Sequence, residues 1–584
     1  MLPFNSPRNT LSTSPGPRLR VGLIGLIIVM LITGCDSEPE PKPQPTFTRV
    51  APASPTAPPV PPSPTPPLHP RAGTLTVRLS SDVSTLNPWL ARSDKEAEKV
   101  ASLLFDGLTR LDNHLQPQPS LAERWDVSED GTAITFHLRQ DVTWHDGQPF
   151  TAEDVVWSYR TVVGLPSDPE VPSRLRLQDT LSAVEAVEPV SYTVRFTLKR
   201  RFSPILADFA LPILPSHILT GTTPDKLADN PFNSAPVGTG PYSFDNREAG
   251  QSITLKANAG YYGGWPYIER VAFIVAPDRG VAESAVRERQ LLLAQLSPDA
   301  AERLVTEGKG IRGGAFDELG YDFVAFNLRA PRPFSDTRLR QAWALALDKQ
   351  GLAFQATGGG GDPVWTDVTK ISWAYNAEAP RYNGDPNRAR SLLAEAGWRD
   401  TNGDGIVEKD GKPLQVSLYV PSNNNVRRKA ADAMVGPLRQ VGIGVSVELA
   451  DFTTAILTRI SPTGRTPFDF DVAMLGWTRN GFDPDPYALF HSSQIPTEAA
   501  PGLLNFTSFA AAEYDALAIE ARSTYDFARR KELYARMQVI IAEQLPYYFL
   551  WAEKFGLVAG PSLKGDIDFS SPSYLWNIVE WWIE

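Results

Sequence analysis

An α/β fold divided over two or three lobes is what this sequence predicts, and three observations carry the prediction. Apolar residues alternate with period two in five separate segments. Apolar faces with helical spacing lie between those segments. The globular stretch from Gly73 to Glu584, about 510 residues, exceeds what one hydrophobic core accommodates.

Taken in chain order, residues 1–34 read as a targeting segment. Arg18 and Arg20 precede an almost wholly apolar run over 21–33, and Ile32-Thr33-Gly34-Cys35 has the small, uncharged pattern that precedes a lipid-modified cysteine. The run falls short of the about 20 residues an ordinary membrane span needs. Cys35 is the only cysteine, so no internal disulfide can form and the leader alone speaks for location. Without residues 1–34 the chain loses three arginines and no acid, taking its formal charge from −11 to −14. An acidic balance of this size argues against a nucleic-acid binder, and it leaves membrane attachment to lipid. Residues 36–71 are dominated by proline and form a tether of polyproline character, spanning on the order of 110 Å at about 3.1 Å per residue.

The strands come next. Leu75, Val77 and Leu79 alternate, as do Ile134, Phe136 and Leu138, then Tyr192, Val194, Phe196 and Leu198. The pattern returns at Leu414, Val416, Leu418 and Val420, and at Val445, Val447 and Leu449. Among the helices, Thr151 with Asp154 fits a capping box. Leu339, Ala342, Trp343, Ala346 and Leu347 share one helical face, and so do Ala389, Leu392, Leu393 and Ala396, with Gly397 as the cap. Leu533, Met537, Ile540 and Ile541 mark a helix that Pro546 ends.

The search for catalytic chemistry returns little. The six histidines are scattered, none at the spacing of a helical zinc site, and neither a phosphate-binding loop nor a nucleophile elbow is present. The expectation is therefore a protein that is not an enzyme and carries no resident cofactor. Calcium is the one exception to weigh. Asp400, Asn402 and Asp404, followed by Gly405, resemble the first half of an EF-hand loop, with Glu408 at the ninth position and Gly411 where the twelfth-position glutamate belongs. A calcium loop and a polar turn between helix and strand both stay open.

Several motifs then occur together and in order. Glu129 to Asp154 contains Asp130-Gly131, Phe136-His137-Leu138-Arg139, Trp144-His145-Asp146-Gly147 and Phe150-Thr151-Ala152-Glu153-Asp154. Pro236-Val237-Gly238-Thr239-Gly240-Pro241-Tyr242 follows, then Pro333-Phe334-Ser335-Asp336 with Arg340-Gln341-Ala342, and Leu392-Leu393-Ala394-Glu395-Ala396-Gly397-Trp398. This set closely resembles the peptide/nickel class (family 5) of extracytoplasmic solute-binding proteins of ABC transporters, the oligopeptide- and dipeptide-binding type, over nearly all of residues 73–584.

The resemblance implies a bilobal, periplasmic-binding-protein-like clam-shell of class II type with an additional domain. Domain I would combine 73–115, 236–325 and 561–584; domain II would be 116–235 and domain III 326–560, behind a signal peptide over 1–34 and a lipid-anchored tether over 35–72. It implies a monomer on the outer face of a bacterial membrane, capturing a peptide or related polar solute and docking on a permease pair and its ATPase. It also assigns His145-Asp146-Gly147 to a turn, and Gly238 and Gly240 to tight backbone near a crossover.

In peptide binders of this family a tryptophan-containing block supplies an acid for the ligand's amino terminus. Here that block runs from Gly476 to Pro486, with Trp477 as a ring platform, and the acidic position falls on Asn480 beside Arg479. Asparagine can accept a hydrogen bond from an ammonium but cannot neutralise it; Asp483 or Asp485 can replace it only if the loop slips. By position, Ser84, Leu86, Asn87, Pro88 and Trp89 after the first strand are expected in the cleft. So are Tyr321, Phe326 and Asn327 at the return crossover, and Trp365 and Trp373 beside the run Gly358 to Gly361. The competing classes are an oligosaccharide binder, a signalling or chaperone-like binding lipoprotein, and an extracytoplasmic hydrolase.

Overall fold

The computed structural model describes residues 69–91, 94–165, 172–187, 192–461, 468–477 and 483–584, all within one compact unit, Pro55–Glu584. The leader, Cys35 and most of the tether lie outside the described residues, as do Arg479 and Asn480.

Three sheets organise the chain. In the first, strands run in the order Arg312–Asp317, Trp551–Ala559, Leu293–Leu296, Thr74–Leu79, Arg270–Val275, Ser252–Ala257 and Tyr242–Glu248, with Gly361–Pro363 added beside Trp551–Ala559. Thr74–Leu79 is parallel to both its neighbours, and the alternation at Leu75, Val77 and Leu79 buries all three side chains. Each contributes roughly 1.5–3 kcal/mol of transfer free energy.

The second sheet is antiparallel, in the order Ala122–Val127, Ala133–Leu138, Thr193–Leu198 and Leu181–Ala186. Ile134, Phe136, Val194 and Phe196 point to one face, where Tyr159 meets Phe196 edge-on at 4.8 Å. Tyr159 belongs to the helix Ala152–Gly164, which begins with the expected capping box: Thr151 Oγ1 accepts the Glu153 N–H, and Asp154 accepts the Thr151 N–H at 3.0 Å.

The third sheet orders Gly444–Ala450, Gln415–Pro421, Val472–Trp477, Tyr321–Phe326 and Tyr547–Phe549. Helices Thr337–Ala346, Pro386–Glu395 and Asn425–Val441 cover one face and Ala512–Ser523 with Phe527–Gln544 the other. Gly397, at φ +88°, takes the left-handed conformation expected after its helix. Gly444–Ala450 departs from expectation: as the edge strand it leaves Leu449 48 % exposed, although its spacing matched a buried face.

The chain passes from the first sheet to the third at residues 318–320 and returns at Leu550. The two crossings are tied together: the Glu318 N–H donates to Glu553 O and the Leu550 N–H to Asp322 O, both at 2.8 Å. Tyr321–Phe326 runs antiparallel to Val472–Trp477, and Trp551–Ala559 lies between Arg312–Asp317 and Leu293–Leu296; the domain bounds that the resemblance implies, 325/326 and 560/561, fall a few residues beyond these crossings.

Candidate ligand-binding site

At the crossing the chain encloses a cavity of about 50 Å³. It is lined by Leu319 and Tyr321, by Asp367 and Thr369 from the connection after Gly361–Pro363, and by Asp483 and Asp485. Tyr321 opens its strand opposite Trp477. Its ring lies edge-on to Phe323 and Phe549 at 5.9 and 5.3 Å, it is 5 % exposed, and its hydroxyl has no hydrogen-bond partner among the described residues. The hydroxyl of fully buried Tyr514 is likewise unpartnered. Burial raises both phenols well above their usual range, so both stay protonated.

Two of the three carboxylates have a cation. Asp483 accepts from Arg530 Nη2 at 2.8 and 2.9 Å and from the Tyr534 hydroxyl at 3.2 Å, all buried. Asp485 pairs with Arg522 at 3.0 Å. The Arg522 guanidinium packs over Tyr487 at 3.9 Å and, across the lobes, over Phe202 at 4.8 Å. Asp367 has neither. Its Oδ1 is buried without a hydrogen-bond partner among the described residues, and burial pushes its carboxyl up to about 7.

The lobes holding the second and third sheets touch beside this cavity. Ser203 donates its N–H to Arg522 O at 2.7 Å and its hydroxyl to Ala521 O at 3.0 Å, and the Tyr525 hydroxyl donates to Gly131 O at 3.1 Å. A second hollow of about 410 Å³ borders Asn113, Asp568, Phe569 and Trp576. None of its lining side chains carries a buried unpartnered polar atom, and Asn113 Nδ2 already donates to Asp568 at 2.9 Å. It therefore offers a ligand less than the smaller cavity does.

Of the residues expected in the cleft, Tyr321 and Asp483 line the cavity. Trp477 is close by in register, half-buried and stacked on Phe323 at 6.0 Å. Several of the others have their polar groups bonded within the fold. Asn87 donates to Asn233 Oδ1 at 2.9 Å and accepts the Trp89 N–H; Trp89 Nε1 donates to Pro212 O at 2.7 Å; Asn327 donates to Phe468 O and Phe470 O, both at 2.9 Å. Ser84 bonds Asp94, the cap of helix Lys95–Leu104, at 2.7 Å. Trp373 is buried against Phe527, Tyr534 and Arg530, and Trp365 lies 4.4 Å from the Lys349 ammonium. The sequence reading missed Asp367. It named both neighbouring tryptophans, but an unpaired carboxylate has no signature in residue order.

The His145 motif is scaffold. His145 Nδ1 accepts the Gly238 N–H and Nε2 donates to Gly240 O, both at 3.0 Å, while burial lowers the imidazole to about 4. A Cβ on Gly238 would stand 1.8 Å from Leu104 O, which is why only glycine fits there.

In the calcium-like loop, carboxylate oxygens of Asp400, Asp404 and Glu408 lie within 4.8 Å of one another. Asp400 accepts the N–H groups of Gly403 and Gly405, Asn402 accepts that of Asp404, and Asp404 accepts that of Ile406. The loop is thus held by its own hydrogen bonds.

Comparison with known proteins agrees with this geometry. The chain is 30 % identical over 521 residues to the oligopeptide-binding protein AppA of Bacillus subtilis, covering 88 % of this chain and 92 % of that protein. The solved structure of AppA with a nonapeptide superposes with a TM-score of 0.63 at 29 % identity, covering 88 % of this chain and 99 % of the other. NikZ of Campylobacter jejuni, solved with Ni(L-His), gives 0.63 at 26 % identity over 87 % and 99 %. The family model for bacterial extracellular solute-binding proteins, family 5, matches residues 116–496. Three sheets joined by paired crossings, a polar cavity at the crossing and a match over most of its length make this chain a member of the family 5 extracellular solute-binding proteins.

Proposed function

We propose that this protein is the capture component of an ABC importer, taking a peptide or a related polar organic solute between its lobes. The observation that carries the reading is the cavity at the two strand crossings, lined by Asp367, one of whose carboxylate oxygens is buried without a hydrogen-bond partner among the described residues, and by Tyr321, whose hydroxyl is likewise unpartnered among them. Binding involves no covalent change. Solute contacts one lobe, closure desolvates it, and the closed form docks on the permease and its ATPase. The peptide reading is further supported by AppA, the relative solved with a nonapeptide.

The lobes in this reading follow the sheets: the segments around the first sheet with the C-terminal residues, residues from about 116 to 235 around the second, and those around the third. Cys35 is the proposed lipid attachment, and the proline-rich segment lets the anchored domain move beneath the membrane importer. Native mass spectrometry of the purified protein tests the assignment. Co-purified peptides in a narrow length range are expected; a sugar or another non-peptide solute would overturn the peptide assignment.

A further inference from the structure

We propose that Asp367 is the anchor for a cationic head, an ammonium or guanidinium, on the bound solute. This rests on the reading that the cavity at the crossing is the ligand site. Three carboxylates meet there, and internal arginines answer two of them: Arg530 takes Asp483 and Arg522 takes Asp485. Asp367 is left with a buried oxygen and no cation among the described residues. A buried carboxylate without a partner is costly, and it is the group whose cost a cationic ligand removes.

The surroundings fit the same occupant. The Tyr321 hydroxyl lines the cavity, and the Tyr514 hydroxyl lies within electrostatic reach of Asp367 and Tyr321. Both are buried with no hydrogen-bond partner among the described residues. A phenol oxygen has lone pairs to offer, so a carboxylate with two hydroxyls presents the acceptors that the three donors of an ammonium require. Size agrees too. At about 50 Å³, against the roughly 10–15 Å³ that one water needs, the cavity admits a cationic head and not a whole solute.

The placement also accounts for Asn480. The family resemblance expects an acid at that position, and asparagine cannot neutralise an ammonium. Asp367 supplies the missing charge from a different segment of chain, beside Asp483 and Asp485 at the end of the Trp477 block.

The test uses the full chain, as wild type, Asp367→Asn and Tyr321→Phe, titrated calorimetrically with four probes: a random nonapeptide pool with free amino termini, the same pool N-acetylated, spermidine, and a mixture of neutral cello-oligosaccharides. We expect acetylation to weaken peptide binding to wild type about 10- to 100-fold, the range for a hydrogen bond to a charged group. Asp367→Asn should weaken the free pool similarly and leave the acetylated pool unchanged. Tyr321→Phe should cause a smaller loss for the free pool alone. If free and acetylated peptides bind all three proteins alike, the anchor is overturned while the peptide reading stands. If spermidine alone binds and Asp367→Asn abolishes it, the anchor stands and the peptide reading falls. Binding of the neutral sugars alone, or of no probe, overturns the anchor.

Discussion

If Asp367 is shaped for a ligand, it should burden the empty protein. Burial raises its carboxyl from the usual 3.8 to about 7, so between those values the folded chain holds a proton that the unfolded chain has released. The contribution of this group to stability therefore falls as pH rises through that window, and above about 7 the full penalty of its charge is present. At about 1.36 kcal/mol per pH unit, the penalty at pH 8 is on the order of 4 kcal/mol, an upper limit since the side chain can relax. Tyr321 and Tyr514 beside it stay neutral over this range and do not blur the titration. Asp367→Asn keeps the shape and removes the charge. In urea unfolding of ligand-stripped protein, the variant should be more stable than wild type at pH 8, by about 2–3 kcal/mol more than at pH 5. A difference independent of pH, or a variant less stable at pH 8, would refute the reasoning.

Other consequences are as direct. Arg530→Met leaves Asp483 buried without its cation; the expected loss is about 3–5 kcal/mol in chemical denaturation, and Asp483→Asn in the same chain should restore part of it. His145 is held neutral, its imidazole lowered to about 4, so wild-type stability should fall as pH drops from about 6.5 towards 4, by on the order of 3 kcal/mol at most, a slope that His145→Gln should flatten in pH-dependent melts. Gly238→Ala places a Cβ 1.8 Å from Leu104 O; overpacking should cost roughly 1–3 kcal/mol or more in the same assay. Asp400→Ala removes the acceptor of two backbone N–H groups and should lower stability by about 1–3 kcal/mol equally in calcium and in chelator. A loss seen only in calcium would make the loop a metal site.

The elements that sequence periodicity reveals are those set by burial within one element. Leu75, Val77 and Leu79 alternate because one face of Thr74–Leu79 is packed, and Thr151 with Asp154 announces a helix start through bonds spanning three residues. What alternation cannot tell is which sheet a strand joins. For Tyr321–Phe326 and Trp551–Ala559, only pairing across more than 100 residues assigns them to opposite sides of the crossing. Leu449 failed for a related reason, since an edge strand has a partner on one side only. Asn87 and Asn327, expected in the cleft from their positions after the first strand and at the return crossover, are hydrogen-bonded to distant backbone and side-chain partners that residue order does not reveal. Asp367 is the converse case: its significance lies in the partner it lacks, and that is a property of three dimensions.

Capture by closure is the central claim, and small-angle scattering tests it most directly. The described arrangement has its lobes in contact through Ser203 with Arg522 and Tyr525 with Gly131. Protein stripped of solute should show a larger radius of gyration than protein saturated with a nonapeptide it demonstrably binds. Superimposable curves for the two states would contradict the account.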